Sequence, residues 1–354
     1  MLTSHCKFLF IQSVIFMSLL FQIVSLIMSS VVGDPICLIA GGPTYPAEPT
    51  PNYSLRILEN LGVMPKIPSS VKTFLEDQAR DQRIKFTQQM KLTQLTNSMP
   101  DPIWKNIQNV VVGNNKNALD GAAQKAYELG YFPIILPEVL IGEAKDVGKL
   151  CVKLAKYIMM CLDSKSSEPN IEMAILEVEL IAEGLNKGIT KKVVNFIEAK
   201  VNRGLNLGRD ICIISGSDLK VTVKGNGLGG KNIESAVAAA RQMQQDFRGK
   251  RPFPAETGIC LLCANTDGQD ALTEMAGAIV DQHFLHRVED LDLNMNDSIE
   301  NNDTFSLMSC VDDGKFLVKT RKTGTDVMDM VVMLVQRPTD DNHNPTLLQN
   351  FSQL

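Results

Sequence analysis

Residues 109–136, NVVVGNNKNALDGAAQKAYELGYFPIIL, decide the fold class. NVVVGNN is a short β-branched run entering a Gly-Asn turn. ALDGAAQKAYELGY is an amphipathic helix closed by Gly130, and FPIIL is a second apolar run of strand length. Strand, helix and strand at this spacing predict a right-handed parallel crossover, and hence an α/β protein.

The same logic recurs toward the C-terminus. ICIIS (211–215) and LKVTV (219–223) read as strands, KGNGLGGKN (224–232) as a glycine loop and IESAVAAARQMQQDF (233–247) as a helix. GICLLCAN (258–265) reads as a strand, TDGQD (266–270) as a turn and ALTEMAGAIV (271–280) as a helix, while FLVKT (316–320) and MVVMLV (330–335) read as closing strands. Helices are expected over 143–160 and over 171–201, the latter broken near Gly188, with NRGLNLGRD (202–210) as a linker. Upstream, GGPTYPAEPTPNYS (41–54) reads as a loop, followed by a short helix around Leu55–Leu61 and a longer one from Ser70 to Met90. The expectation is two α/β units with mainly parallel sheets, divided near residue 205.

A chain of 354 residues is long enough for two sizeable cores. Its net charge of −5 argues against a nucleic-acid binder working by phosphate neutralisation, but leaves local anion sites open, because backbone N–H groups need no positive net charge. Eight cysteines are scattered. Cys260 and Cys263 point to opposite faces of a strand, so they read as reduced core residues rather than as a metal pair. No charge occurs from Phe8 to Gly33, yet Gln12, Ser13, Ser18, Gln22 and Ser25 would be costly among lipid tails. A segment buried in protein is preferred to a membrane anchor.

Three groups of residues could carry chemistry. Gly225, Gly227, Gly229 and Gly230 lie between a strand and a helix, where amides and a helix N-terminus can gather around an anion. Gly225 to Lys231 fits the G-x-x-x-x-G-K phosphate loop, but Asn232 stands where a magnesium-binding hydroxyl is required, and a purely structural glycine turn is a second reading. Asp267, after an apolar strand, suits a magnesium ligand or a proton acceptor, or else a plain turn. Asp270 reads as the N-cap of ALTEMAG. Asn301–Thr304 and Lys322–Asp326 form further polar turns.

Taken in order, QIVSLIMSSVVGDP, GGPT, VVGNNKNALDGAAQKAYELGY, VTVKGNGLGGKN, TDGQDALTEMAGA, NNDT and TGTDVMDM resemble the class II glycerate kinases, whose C-terminal part is the MOFRL domain. The resemblance implies a Rossmann-like first domain, here incomplete over 22–204, and a MOFRL domain over 205–336, with 1–21 unmatched and 337–354 a tail. It implies ATP-dependent phosphorylation of D-glycerate with Mg²⁺, in a cytoplasmic protein without nucleic-acid or membrane partners, and it leaves a homo-oligomer open. By carry-over, Lys231 and Asp267 are catalytic and Asp267 is the metal ligand. Gly225, Gly227, Gly229, Gly230, Asn232, Thr266, Asn302, Asp303, Thr323, Thr325 and Asp34 line the substrate and nucleotide site. The family carries arginines where Leu228 and Lys231 stand, and Lys231 keeps the charge without the planar fork. Its upstream glycine-rich loop and lysine have no counterpart before Gln22, so the chain reads as N-terminally truncated, with a non-catalytic anion-binding remnant or a regulatory partner of a full-length kinase as the alternative.

Overall fold

In the computed structural model, residues 21–45, 51–80, 105–163, 171–247 and 258–336 are described. Two compact units are present: Met1–Ile27 with Pro35–Val111, and Met28–Asp34 with Val112–Leu354. The expected segments 1–20 and 337–354 lie outside the described residues, as does the second half of the helix expected from Ser70 to Met90, whose residues 69–80 are helical.

Strands β1 (Ile23–Met28) and β2 (Ile107–Gly113) pair in a two-stranded sheet. Helix α1 (Pro51–Asn60) follows the GGPT segment. Thr44 Oγ1 lies 2.5 Å from Asn109 Oδ1, and Asn109 Nδ2 donates to the Thr44 carbonyl at 3.0 Å.

The second unit is built on helix α2 (Asn115–Glu128), strands β3 (Phe132–Ile135) and β4 (Leu140–Glu143), helices α3 (Ala144–Asp163), α4 (Ile171–Gly184) and α5 (Lys191–Asn206), and strand β5 (Ile211–Lys220). Helix α6 (Lys231–Phe247), strands β6 (Ile259–Asn265) and β7 (Gly277–Asp281), and helix α7 (Gln282–Asp290) follow. Short helices α8 (Met295–Glu300) and α9 (Thr304–Cys310) and strands β8 (Leu317–Val318) and β9 (Asp329–Val335) complete it. One sheet runs β3-β5-β9-β6-β7-β8, with β4 also on β5.

The α/β class stands. In the larger sheet, parallel pairing is confined to β3 and β4 against β5, whereas β9, β6, β7 and β8 add antiparallel pairs. The crossover expected from residues 109–136 joins two different sheets: β2 pairs with β1 and β3 with β5. The local pattern specifies a helix between two strands, not which strand each one meets. Residue 205 marks no break, because β3 and β4 hydrogen-bond directly to β5 and tie both sides into one sheet. The linker NRGLNLGRD is helical through Asn206, and ICIIS and LKVTV share the single strand β5, which ends at Lys220.

Two-residue alternation along the central strands sorts their side chains between two apolar layers. Ile211, Ile213, Leu261, Cys263, Val331 and Met333 face the layer formed with α3, α5 and α6. Cys212, Ile214, Cys260, Val332 and Leu334 face the layer under α2. Burial on both faces explains why these strands read as continuous apolar runs, and the two cysteines of β6 are buried on opposite faces as expected.

Expected as a helix, ALTEMAGAIV instead forms a bend and strand β7. Ala271 has φ +53°, and Asn265 N donates to the Ala276 carbonyl, continuing a β6–β7 hairpin. Gly277 lies so close to β6 that a Cβ there would stand 1.9 Å from the Cys263 carbonyl. The small Ala-Gly-Ala run permits this tight pairing, and helical spacing over so few residues does not exclude it.

Helix α6 crosses α3 at very short range. A Cβ on Gly148 would stand 2.1 Å from the Ser235 carbonyl. Gly148→Ala is therefore expected to destabilise the protein by about 2–3 kcal/mol through overpacking, read as a lower urea midpoint at unchanged slope.

Candidate functional site

The glycine loop and the Asn301–Thr304 turn interlock. Asn302 Oδ1 accepts from the amides of Lys224 (2.7 Å) and Gly225 (3.0 Å). The Gly227 amide donates to the Asn301 carbonyl at 3.0 Å, and the Leu228 amide to Asp303 Oδ1 at 3.0 Å. The expected anion nest is corrected here: these four amides are already bonded within the protein. None of Gly225, Gly227, Gly229 or Gly230 has a positive φ. Glycine is needed instead for close approach, since a Cβ would stand 2.3 Å from the Asn301 carbonyl oxygen at Gly225 and 2.3 Å from Asp303 Cβ at Gly227. At Gly229 it would stand 2.6 Å from Thr304 Oγ1.

Asp270 joins this loop to the TDGQD corner. It does not cap a helix of its own; its Oδ2 accepts from the Ile233 amide at 2.8 Å, in the first turn of α6. A Cβ on Gly230 would collide with its carboxylate at 2.3 Å. Burial pushes the Asp270 carboxyl up to about 6, against the lowering effect of the Ile233 and Asn232 amides. Asn232, fully buried, reaches Asp270 Oδ1 at 3.4 Å and Asp329 Oδ1 at 3.2 Å through Nδ2. Lys231 Nζ stands 2.6 Å from Asp329 Oδ2, an ion-pair contact rather than a well-directed hydrogen bond.

The corner itself is a compact turn. Asp267 Oδ1 accepts from the Gln269 amide at 2.7 Å. Gly268, at φ +86°, lets the chain pass beside Arg321, whose carbonyl would stand 1.9 Å from a Cβ there. Thr323 Oγ1 donates to the Thr266 carbonyl at 2.6 Å and lies 3.2 Å from Thr325 Oγ1. Thr266 Oγ1 donates to the Met328 carbonyl at 2.7 Å. On the far side of β9, Asn115 Nδ2 donates to the Val327 carbonyl at 2.8 Å, and its neighbour Asn114 donates to Asp34 Oδ2 at 2.6 Å.

All these residues belong to the second unit. Lys231, Asn232, Asn302, Asp303 and the glycines form one group, and Thr266, Asp267, Thr323 and Thr325 a second, with Asp270 between them; among the described residues Asp34 is linked to them through Asn114 and its neighbour Asn115. Asp329, Asn115 and Glu234 were missed by the sequence reading. Glu234 accepts from Asn302 Nδ2 at 3.2 Å, and burial raises its carboxyl. A charged residue opening the apolar run MVVMLV was the available signal for Asp329.

Of the cofactors implied by the resemblance, Mg²⁺ finds no group of three or more His, Cys, Asp or Glu side chains among the described residues. For a phosphate-bearing ligand, the residues that fit are at the start of α6. Ser217 Oγ and Thr304 Oγ1 are buried hydroxyls without hydrogen-bond partners among the described residues, whereas Asn232 Oδ1, also without one, is an acceptor and offers nothing to a phosphate oxygen.

Residues 211–329 match the MOFRL family, and residues 17–76 match a domain of unknown function, DUF4147. A glycerate kinase of Danio rerio is 31% identical over 318 residues, covering 89% of this chain and 58% of the relative. A D-glycerate 2-kinase of Thermotoga maritima is 25% identical, covering 89% and 57%. The crystal structure of a Thermotoga maritima glycerate kinase shares the fold, with a TM-score of 0.55 at 22% identity, over 89% of this chain and 57% of that one. The chain is thus similar to MOFRL-type glycerate kinases over most of its length and spans a little over half of theirs.

Two outcomes are expected from this geometry. Asn302→Ala removes the acceptor for two loop amides and places alanine at φ +53°, lowering stability by about 2–4 kcal/mol in denaturant titrations. Asp270 holds its proton more tightly when folded, so the stability it contributes is full below its unfolded pKa of about 4 and is lost as pH rises through about 6. In Asp270→Asn, thermal melts are expected to show a shallower decline across that window.

Proposed function

We propose that this chain, a relative of MOFRL-type glycerate kinases, carries the part of a glycerate kinase site that holds substrate and phosphates at the start of α6 and at the TDGQD corner. The observation that carries this reading is the Asp270 contact, which makes the glycine loop and the corner neighbours. Among the described residues no helix is long and apolar enough to cross a membrane. The reading includes a cytoplasmic setting and a small soluble acid as substrate.

In the reaction a hydroxyl oxygen of D-glycerate forms a bond to the γ-phosphorus of ATP, the bond to the ADP oxygen breaks, and the hydroxyl proton leaves to a base. Mg²⁺, when bound, neutralises charge on the phosphates. Asp267, on its rigid turn, presents a carboxylate for the metal or for the hydroxyl proton. Lys231 supplies the nearby cation, and the helix start adds its partial positive charge. Thr323 and Thr325 offer hydroxyls beside Asp267, and Asn302 and Asp303 hold the glycine loop in place.

Incubation with ATP, Mg²⁺ and D-glycerate is expected to release ADP only when glycerate is present, and Asp267→Asn to lower kcat by about 10²-fold or more. Calorimetric binding of glycerate without any ADP release would replace this reading with that of a non-catalytic binding protein.

A further inference from the structure

Three candidates stand outside the proposed reading: a polar groove beside Arg241, the exposed apolar stripe Ile171, Ile175, Val178 and Leu185, and the buried contact between Asp329 and Lys231. Nothing in the structure shows what fills the groove or covers the stripe. The third has its own geometry, and it rests on the glycerate kinase reading only for its effect on turnover.

Asp329 opens β9 and is held from three sides. In the sheet it lies opposite Ser217 of β5 and Asn265 of β6. Its carbonyl lies 3.3 Å from Asn115 Nδ2 at the start of α2, and its Oδ1 accepts from Asn232 Nδ2 of α6. The side chain is 1% exposed, and its other oxygen faces the Lys231 ammonium. Neither partner stands where stability alone would place it. An apolar residue would cover the strand start without the desolvation penalty of a buried carboxylate, and a lysine in the first turn of a helix is opposed by the helix dipole. Lys231, by contrast, is 32% exposed, so its ammonium is within reach of a ligand while its direction is set from below.

We infer that Asp329 is a positioning residue that aims the Lys231 ammonium at the ligand side of the α6 start, with Asn232 fixing the orientation of the Asp329 carboxylate. Three acidic groups face Lys231 from the elements around it: Asp329 of β9, Asp218 of β5 and Asp270 of the corner. Burial alone would make the amine easier to deprotonate, but these carboxylates, Asp329 foremost, outweigh it and hold the ammonium above its ordinary range. Without Asp329, burial is left and the amine becomes easier to deprotonate.

The test is competitive acetylation of the whole chain with acetic anhydride across pH, read residue by residue by mass spectrometry. Lys116, whose ion pair with Asp120 lies open to solvent, serves as the reference and the less exposed, ion-paired Lys153 as the control for unfolding. In the unsubstituted chain Lys231 should label more slowly than Lys116, with its profile displaced to higher pH; an ordinary profile would overturn the inference without any variant. In Asp329→Asn, which is isosteric and keeps an acceptor for Asn232, Lys231 labelling should rise ~10-fold or more, equivalent to about one unit of pKa, while Lys153 stays unchanged. Asp329→Glu should restore slow labelling. An unchanged Lys231 rate in a folded Asp329→Asn would sink the idea. With ATP and D-glycerate, the same variant should lose kcat with little change in KM, and full retention of kcat would refute a role in the reaction. Absence of turnover in the unsubstituted chain would remove the kinase reading, while the labelling still decides the positioning.

Discussion

The insertion of the Asp270 carboxylate at the amino end of α6 is the contact on which the site depends. Helix starts leave amides unpaired, and an acidic group there serves as a hydrogen-bond acceptor, although for Asp270 burial outweighs what the helix start gains from its charge. Usually the residue just before the helix fills this role. Here Gly230 stands at that position, and the acceptor comes from a hairpin loop forty residues later in the chain. Closing the helix start in this way brings the end of β6 against the glycine loop. Any side chain at Gly230 would push Asp270 out and separate the two turns. Local helix capping and the assembly of the site are one event.

The glycine loop serves a different purpose from the one its composition suggests. In a phosphate loop, glycines allow successive amides to converge on an anion. Here the amides of Lys224, Gly225, Gly227 and Leu228 are bonded to the Asn301–Asp303 turn, and the missing side chains make room for that turn. The loop is a clasp between α6 and the α8–α9 connection. What it leaves for a ligand is the helix start itself.

This difference marks how far the sequence could be read. The alternating apolar faces of β5, β6 and β9, the helix at 231–247 and the opposed cysteines 260 and 263 all follow from periodicity, which is a local property. The polar turns were legible as turns, because Gly, Asp, Asn and Thr between apolar runs are turn formers, and each therefore kept a structural reading beside the chemical one. Partner choice was not legible. Nothing in NVVVGNN says that its strand pairs with β1, and nothing in AGAIV separates a tight hairpin from a short helix. Asp270 was read correctly as a cap but assigned to the wrong helix, because capping chemistry looks the same whether its amides are three residues away or across a sheet. Asp329 went unnoticed for a related reason: its meaning comes from Lys231 and Asn232, which only the fold brings near.

The charge arrangement has a consequence for ligand choice under the proposed reading. Asp270, Asp329 and Glu234 are buried around one helix start, and burial pushes each carboxyl upward. The nearby lysine is already paired. A bare phosphate approaching this point would meet amides and one neutralised cation on one side and several carboxylates on the other, so Coulomb attraction would be weak or reversed. A phosphate that brings its own divalent ion would meet a different field, because the carboxylates would then face positive charge and the ion could take Asp267 as a ligand. The same acidic surroundings that argue against a simple anion nest therefore favour a metal-bound nucleotide over free phosphate, and they give a physical reason for a lysine held by a carboxylate: its ammonium stays in place without drawing in every small anion in solution.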